Sequence, residues 1–247
     1  FLEKLEHYTY CSLVRKKISK RFGGKLVAFI SGGAALNPDI GYFFFSLGIR
    51  IIQGYGQTES SPLISANPPN KPKIETVGPA IKGVEVKLSD ENELLVKGDC
   101  VMKGYWKQEK ETAETIIDGW LHTGDIAKID SEGYITIIDR KKEIIVNSGG
   151  DNIAPIRPES ALTFHSIIQQ AMVSGDRRPY LVAIIVPDPE LSKKLNEDEL
   201  EKNITEAVNE ANKNLSQIEK IRKYIVVSEP FSTDNGMFTA TMKIRRH

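Results

Sequence analysis

Gly54-Tyr55-Gly56-Gln57-Thr58-Glu59-Ser60-Ser61 crowds an aromatic ring, close-approach glycines, a hydroxyl and a carboxylate into one short stretch. A second glycine turn, Ser31-Gly32-Gly33-Ala34-Ala35, lies upstream of it. In Gly119-Trp120-Leu121-His122-Thr123-Gly124-Asp125 the carboxylate follows a glycine, where it can accept both hydroxyl hydrogens of a sugar or simply form a turn. The run from Asp139 to Pro155 holds the consecutive cations Arg140, Lys141 and Lys142 and then the pair Gly149-Gly150. Open amides beside glycines can approach an anion, so this run suits a negatively charged ligand held between two domains. The competing reading is a solvated hairpin followed by a linker. The last stretch, Phe238 to His247, is cationic and is read either as ligand-facing or as a solvated basic terminus.

Composition narrows the partners. The 247 residues carry no formal net charge, so overall charge gives no support for nucleic-acid binding or for more than peripheral membrane association. No apolar run approaches the roughly 20 residues that span a bilayer. Cys11 and Cys100 lie far apart, without the spacing of a zinc site or the density of a disulfide scaffold, which points to a reducing, cytoplasmic setting. His122, His165 and His247 have no metal or triad spacing. The chain starts at Phe1, inside an amphipathic pattern and without an initiator Met, and is expected to be a fragment.

These loops need elements to position them. Leu2, Leu5, Leu13, Val14 and Ile18 recur at helical spacing up to a stop at Gly23-Gly24. Leu26 to Ile30 reads as a strand buried on both faces, and a helix follows, with Asn37 as N-cap, Pro38 in its first turn and an end near Gly48. Arg50 to Gln53 is the next strand. A strand-helix-strand unit implies parallel strands, which brings both glycine loops to the C-terminal edge of the sheet, where open α/β sheets bind ligands. The alternative is that these are ordinary capped loops.

Asn67 to Pro72 reads as a stiff linker into a small twisted β subdomain punctuated at Gly78, Gly83 and Asp90-Asn92, with a hairpin turning at Ser131-Gly133. Past Pro155 a separate module is expected: a buried strand at Leu181–Val186, a helix carrying Leu200, Ile204, Val208, Ala211, Leu215 and Ile218 behind an Asn196/Glu199 capping pair, and a strand at Tyr224–Val227. The fold class is therefore α/β: a partial parallel βαβ unit with a distorted β subdomain over 1–139, then a small α+β domain over 140–247.

Tyr55-Gly56-Gln57-Thr58-Glu59, Gly119 to Asp125, Asp139-Arg140-Lys141-Lys142 and Thr241-Met242-Lys243-Ile244-Arg245-Arg246 occur in the order seen in AMP-forming acyl-CoA synthetases, which the chain resembles over nearly its whole length. Asn152-Ile153-Ala154-Pro155 and Arg178-Pro179-Tyr180-Leu181 are similar to the long-chain fatty acid branch.

The resemblance implies a ligase that joins a fatty acid to coenzyme A through an acyl-adenylate, using ATP and Mg²⁺. It implies that Gly32, Gly33, Ala34 and Tyr55 hold adenine, with Gln57 in the same nucleotide-binding set. Thr58 touches the α-phosphate, Glu59 binds Mg²⁺, and Asp125 and Arg140 hold the ribose. Gly56 lies at the acyl pocket, its missing side chain leaving room for the chain. Lys142 is the hinge, the Gly149 loop faces the pantetheine arm, and Lys243 is the adenylation lysine. The family's Ser/Thr/Gly-rich phosphate loop has no counterpart here, so an N-terminal half is the expected partner. The segment from Asn152 to Asp176 looks short, with Pro158 where a helix should be running. A non-catalytic nucleotide-binding remnant, or a ligase for another carboxylic acid, are the alternatives.

Overall fold

The computed structural model describes residues 14–240 and 244–246. The chain forms two compact units, Phe1–Ile138 and Asp139–His247.

In the first unit, residues 14–21 are helical and turn out through Gly23 and Gly24, both at positive φ. Strand β1 (Ala28–Ser31) and strand β2 (Arg50–Tyr55) pair in parallel, joined by helix α1 (Pro38–Ser46). The Asn37 side chain accepts from Asp39 N at 2.8 Å, and Gly48 exits the helix at φ 76°, the left-handed region that glycine occupies without steric penalty. β1 is not buried on both faces as its apolar run suggests: Val27 is 78% and Ile30 84% exposed. The reason is topological. β1 is the edge of a three-stranded sheet in the order β1-β2-β3 (β3, Ser65–Ala66), and among the described residues it pairs only with β2.

Asn67 to Pro72 is no linker. Asn67 is buried, donates to Lys73 O and Thr76 O, and accepts from Lys73 N. Gln53 of β2 donates to Ile74 O and Thr76 O, so the segment is tied into the βαβ unit by buried amides whose polar atoms are satisfied.

The β subdomain is a five-stranded sheet: β4 (Val84–Leu88), β5 (Glu93–Gly98), β6 (Ile116–Ile117), β7 (Trp120–Ile129) and β8 (Ile135–Arg140). Helix α2 (Glu109–Thr115) lies between β5 and β6. Ile64, Leu94, Val96, Leu121, Ala127 and Ile135 form its core, and Asn92 makes its turn at φ 62°.

The second unit packs helices on a sheet. Strand β11 (Ile168–Ser174) runs antiparallel to β12 (Leu181–Pro187), which runs parallel to β13 (Ile221–Val226). Two short strands, β9 (Ile145–Val146) and β10 (Asn152–Ile153), flank the glycine turn. Helix α3 (Ile156–Thr163) accommodates Pro158 because the proline falls in the first turn, where no helical N–H partner is lost. Helix α4 (Pro189–Ser192) is a single turn, and helix α5 (Glu197–Lys213) carries the capping box: Glu199 N donates to Asn196 Oδ1 at 2.9 Å and Asn196 N to Glu199 Oε2 at 3.1 Å. Ile204, Ala207, Val208 and Ala211 face the core. The helix stops at Lys213, earlier than the apolar spacing suggests; Leu215 is buried beyond it, while Ile218 is 40% exposed.

Candidate functional site

The parallel pair brings its two glycine loops together. A Cβ placed on Gly32, just past β1, would lie 3.2 Å from the Gly54 carbonyl oxygen near the end of β2. Such a contact is tighter than a side chain comfortably makes, so glycine at 32 lets the loops touch. Gly33 turns at φ 84° with open space around it, and Ala34 is exposed beside it.

Tyr55, the last residue of β2, reaches across to the β subdomain and donates its hydroxyl to Asp125 Oδ2 at 2.5 Å. The chemistry read separately from the 54–61 loop and from the Gly124-Asp125 turn thus meets at one point. Asp125 is 8% exposed and lies within β7, so it is a strand carboxylate and not a turn-forming one.

Its position depends on an irregular ladder. β5 and β7 pair Glu93 with Ile126 but Leu95 with His122, so residues 123–125 bulge from the sheet. Three bonds hold the bulge. Thr123 Oγ1 donates to Leu94 O at 2.7 Å, Asp125 N donates to Thr123 Oγ1 at 3.1 Å, and Gly124 N donates to Glu93 Oε1 at 2.9 Å. Gly124 takes φ 71° there. Glu93, 6% exposed, also faces His122 Nδ1 at 3.5 Å through its other oxygen. Sequence reasoning missed Glu93. Its one signal was a carboxylate heading the apolar run Leu94-Leu95-Val96, and nothing in the spacing tied it to Gly124.

Glu93→Ala leaves a half-buried N–H without its protein acceptor and is expected to destabilise the first unit by about 1 kcal/mol, whereas Glu93→Gln retains an acceptor oxygen and loses less. Amide hydrogen exchange at Gly124, together with urea denaturation, checks this; equal effects of the two variants would refute the role of that bond.

Thr58-Glu59-Ser60 forms a single 3₁₀ turn, in which Gln57 N donates to Ser60 Oγ and Ser60 Oγ to Gln57 O. Thr58 is exposed on it. The Glu59 backbone accepts from Met102 N at 2.8 Å, and its Oε1 accepts from Tyr105 OH at 2.9 Å. Burial, then the Glu59 carboxylate, pushes the Tyr105 hydroxyl above its ordinary pKa, so it stays a donor. Gln57 Nε2 is buried and has no hydrogen-bond partner. A buried donor left open in a loop of this chemistry fits a ligand acceptor. Among the described residues no cluster of three or more His, Cys, Asp or Glu could hold a metal alone. Glu59 by itself suits a magnesium ion whose other ligands are phosphates and water.

Gly56 has a local reason to lack a side chain. A Cβ there would fall 1.9 Å from Pro62 O, so the space reserved in the sequence reading for an acyl chain is filled on that side by the loop's own backbone.

The remaining assigned residues lie in the second unit. Arg140 ends β8, and Lys142 sits exposed in the turn that follows, where Ile144 N donates to Arg140 O at 3.1 Å. Gly149 is exposed between β9 and β10. Lys243 lies outside the described residues; beside it, Phe238 bridges to Ile244, and Arg245 N donates to Met237 O at 2.8 Å. The basic terminus is not simply solvated. Arg246 forms a buried bidentate pair with Glu159, 2.6 Å from Nη1 to Oε1 and 2.8 Å from Nη2 to Oε2.

The comparisons agree with this geometry. Residues 4–106 match the model of the AMP-binding enzymes, and residues 142–247 match that of the AMP-binding enzyme C-terminal domain. The long-chain-fatty-acid-CoA ligase FadD15 of Mycobacterium tuberculosis is 37% identical over 99% of this chain and 44% of its own length. Long-chain-fatty-acid-CoA ligase 5 of Rattus norvegicus is 34% identical over 95% of this chain and 39% of its own. Among solved structures, the adenylation domain of a carboxylate reductase from Mycobacterium chelonae superposes with a TM-score of 0.80 at 25% identity, over 97% of this chain and 39% of that one. The o-succinylbenzoate coenzyme A synthetase of Bacillus subtilis, in complex with AMP, gives 0.68 at 26% identity, over 88% and 44%. The chain thus spans less than half the length of the relatives it matches. With matching models on both units and its glycine loops, Tyr55 and Asp125 gathered at the end of a parallel strand pair, the chain belongs to the AMP-binding, adenylate-forming enzymes, of which it holds a C-terminal portion.

Proposed function

We propose that this chain supplies the adenosine-binding edge and the C-terminal domain of a ligase that joins a long-chain fatty acid to coenzyme A through an acyl-adenylate. The observation that carries the reading is the Tyr55–Asp125 contact, which joins two loops 70 residues apart into one polar point. The relatives named as long-chain fatty acid ligases favour the fatty acid as substrate.

In this reading Gly32, Gly33 and Ala34 pass beneath adenine with Tyr55 against it, while Asp125 accepts from the ribose hydroxyls. Gln57 turns its open amide donor to the nucleotide, and Thr58 contacts the α-phosphate. Arg140 is assigned to the ribose by family resemblance. Glu59 would hold magnesium, which would supply positive charge against the phosphates. A fatty acid is already ionised near neutral pH, so the residues need only hold and orient it: its oxygen attacks the α-phosphorus and the bond to pyrophosphate breaks. The thiol of coenzyme A then gives its proton to solvent as its sulfur attacks the acyl carbon, and AMP leaves with the electron pair of the broken bond.

The remainder of such an enzyme is the partner this portion needs. Val27, Ile30, Phe43 and Phe45 are each more than half exposed, apolar side chains that a further part of the enzyme would cover. No helix among the described residues is long and apolar enough to cross a membrane. The cysteine usage that suggests a reducing compartment fits a cytoplasmic enzyme.

The test is calorimetric titration with a non-hydrolysable acyl-adenylate analogue. Asp125→Ala is expected to weaken its binding by about 1–3 kcal/mol, the range for a charge-assisted hydrogen bond. Binding unaffected by both Asp125→Ala and Arg140→Ala would refute the ribose assignment. A second reading, adenylation of a different acid, has the carboxylate reductase and o-succinylbenzoate neighbours in its favour, and a panel of analogues with different acyl groups separates the two.

A further inference from the structure

The backbone amides from Ser148 to Asp151 all donate within the fold, to Arg178 O, Asn147 Oδ1 and Asn147 O, so the Gly149 turn does not present the open donors expected of it. A half-used carboxylate in the first unit carries more. Glu59 is held at two points by one segment of the β subdomain. Its backbone oxygen accepts from Met102 N at 2.8 Å, and its side-chain Oε1 accepts at 2.9 Å from the hydroxyl of Tyr105, 46 positions along the chain. Among the described residues its Oε2 has no hydrogen-bond or ion-pair partner. One oxygen is engaged by a phenol and the other is open.

The phenol is itself fixed. Tyr105 N donates to Thr112 Oγ1 at 2.9 Å, and that hydroxyl donates to Gln108 O at 2.7 Å, which ties the loop to helix α2. Gly104 allows the close approach: its φ is 146°, and a Cβ there would fall 2.7 Å from Thr112 Cγ2, on a side chain that both bonds hold in place. A rigid donor on Oε1 has two consequences. The carboxylate cannot swing without stranding the hydroxyl, and the place that a second metal–oxygen bond would need is filled.

The two common divalent cations respond differently to such a carboxylate. Mg²⁺ demands near-ideal octahedral geometry and binds few carboxylates beside phosphates and water, whereas Ca²⁺ takes more oxygens in a looser shell and accepts both oxygens of one carboxylate. The narrow bite of a two-oxygen carboxylate distorts an octahedron and suits the larger ion. We propose that Tyr105 is a positioning residue that sets metal specificity: by occupying Oε1 it confines Glu59 to one-oxygen coordination, which selects magnesium over calcium on the bound nucleotide. This rests on the reading of the chain as an ATP-dependent ligase with Glu59 at the metal. It adds a residue that touches neither nucleotide nor metal and acts through Glu59.

The test reads binding and needs no turnover. The affinity of the complete ligase for α,β-methylene-ATP, a non-hydrolysable analogue, is measured by calorimetry with Mg²⁺, with Ca²⁺ and with EDTA. Tyr105→Phe removes only the hydroxyl. It should lower the ratio of magnesium to calcium affinity by about tenfold, weakening the first complex and strengthening the second, and leave the EDTA affinity within about twofold. An unchanged ratio overturns the proposal. So does an equal loss under all three conditions, because a merely structural residue would weaken nucleotide binding with or without metal. In a Glu59→Gln background Tyr105→Phe should no longer move the ratio; an effect that persists there means that the hydroxyl does not act through Glu59. Failure of the ligase reading itself would show separately, as no acid-dependent pyrophosphate release by the wild-type enzyme.

Discussion

Lys243→Ala is expected to abolish acyl-adenylate formation while leaving the reaction of preformed acyl-adenylate with coenzyme A far less affected. The assignment rests on the order of the motifs, with Thr241-Met242-Lys243-Ile244-Arg245-Arg246 closing the series. As the carboxylate attacks, charge accumulates on the phosphate oxygens, and a lysine placed against it acts mainly in the transition state. Its removal should therefore lower kcat by several kcal/mol with a smaller change in substrate binding. The second step breaks no phosphoanhydride bond and has less need of that cation. Single-turnover kinetics of each half-reaction in the complete enzyme decide the matter. A modest, equal loss in both steps would mean that the tail acts only as diffuse charge.

Arg246 lies in the basic stretch that follows Lys243 after Ile244, and by sequence it reads as part of a solvated basic terminus. The structure removes it from that role. Its side chain is 12% exposed and its guanidinium is bonded to Glu159, so substituting it tests folding and not surface charge. Arg245→Ala, on an exposed residue, is the better control.

That reversal shows which information a sequence carries openly. The Asn37 cap, the Asn196/Glu199 box and the parallel pair around α1 were all legible, because each is decided by residues a few positions apart or by one apolar run. Partners at long separation were not. Gly124 with Glu93 spans 31 positions, Tyr55 with Asp125 spans 70, and Arg246 with Glu159 spans 87. Side chains at such distances meet only once the sheets are built, and Glu159 in sequence is one glutamate among many. Asn67 was misread for the same reason: beside two prolines it has the composition of a linker, and only its bonds to Lys73 and Thr76 and the adjoining Gln53 amide show that it is core. The burial of β1 was misjudged differently, since an apolar run reports that a strand is covered but not by what.

Arg246→Ala is expected to destabilise the second unit by about 3–5 kcal/mol at neutral pH, the range for breaking a buried ion pair and leaving one charge uncompensated. Arg246 and Glu159 are 12% and 7% exposed at the side chain, and Glu159 Oε1 also accepts from Val173 N at 2.8 Å. Arg246 Nε is buried without a hydrogen bond, with the Glu143 carboxylate at 3.5 Å. Burial pushes the Glu159 carboxyl above its ordinary value, and the Arg246 hydrogen bonds pull it only part of the way back; Asp139, also raised by burial, feels the same guanidinium. The guanidinium itself is held charged: burial is the largest influence and opposes the charge, but Glu159, Glu143 and Asp139 together outweigh it. A carboxyl raised in the folded state binds more protons folded than unfolded above its ordinary value, 4.5 for glutamate, so stability falls as pH climbs through that window. Without Arg246 only the Val173 N–H pulls Glu159 back, and the window reaches higher. The deficit of Arg246→Ala relative to wild type should accordingly be largest at neutral pH and shrink on acidification toward 4.5, as Glu159 takes up a proton in both proteins. Thermal denaturation at both pH values measures it. The double variant Arg246→Met/Glu159→Gln, which removes the orphaned charge but keeps an acceptor for Val173 N, should recover part of the loss. A deficit independent of pH and unrelieved in the double variant would mean that Arg246 stabilises through the packing of its stem and not through its charge.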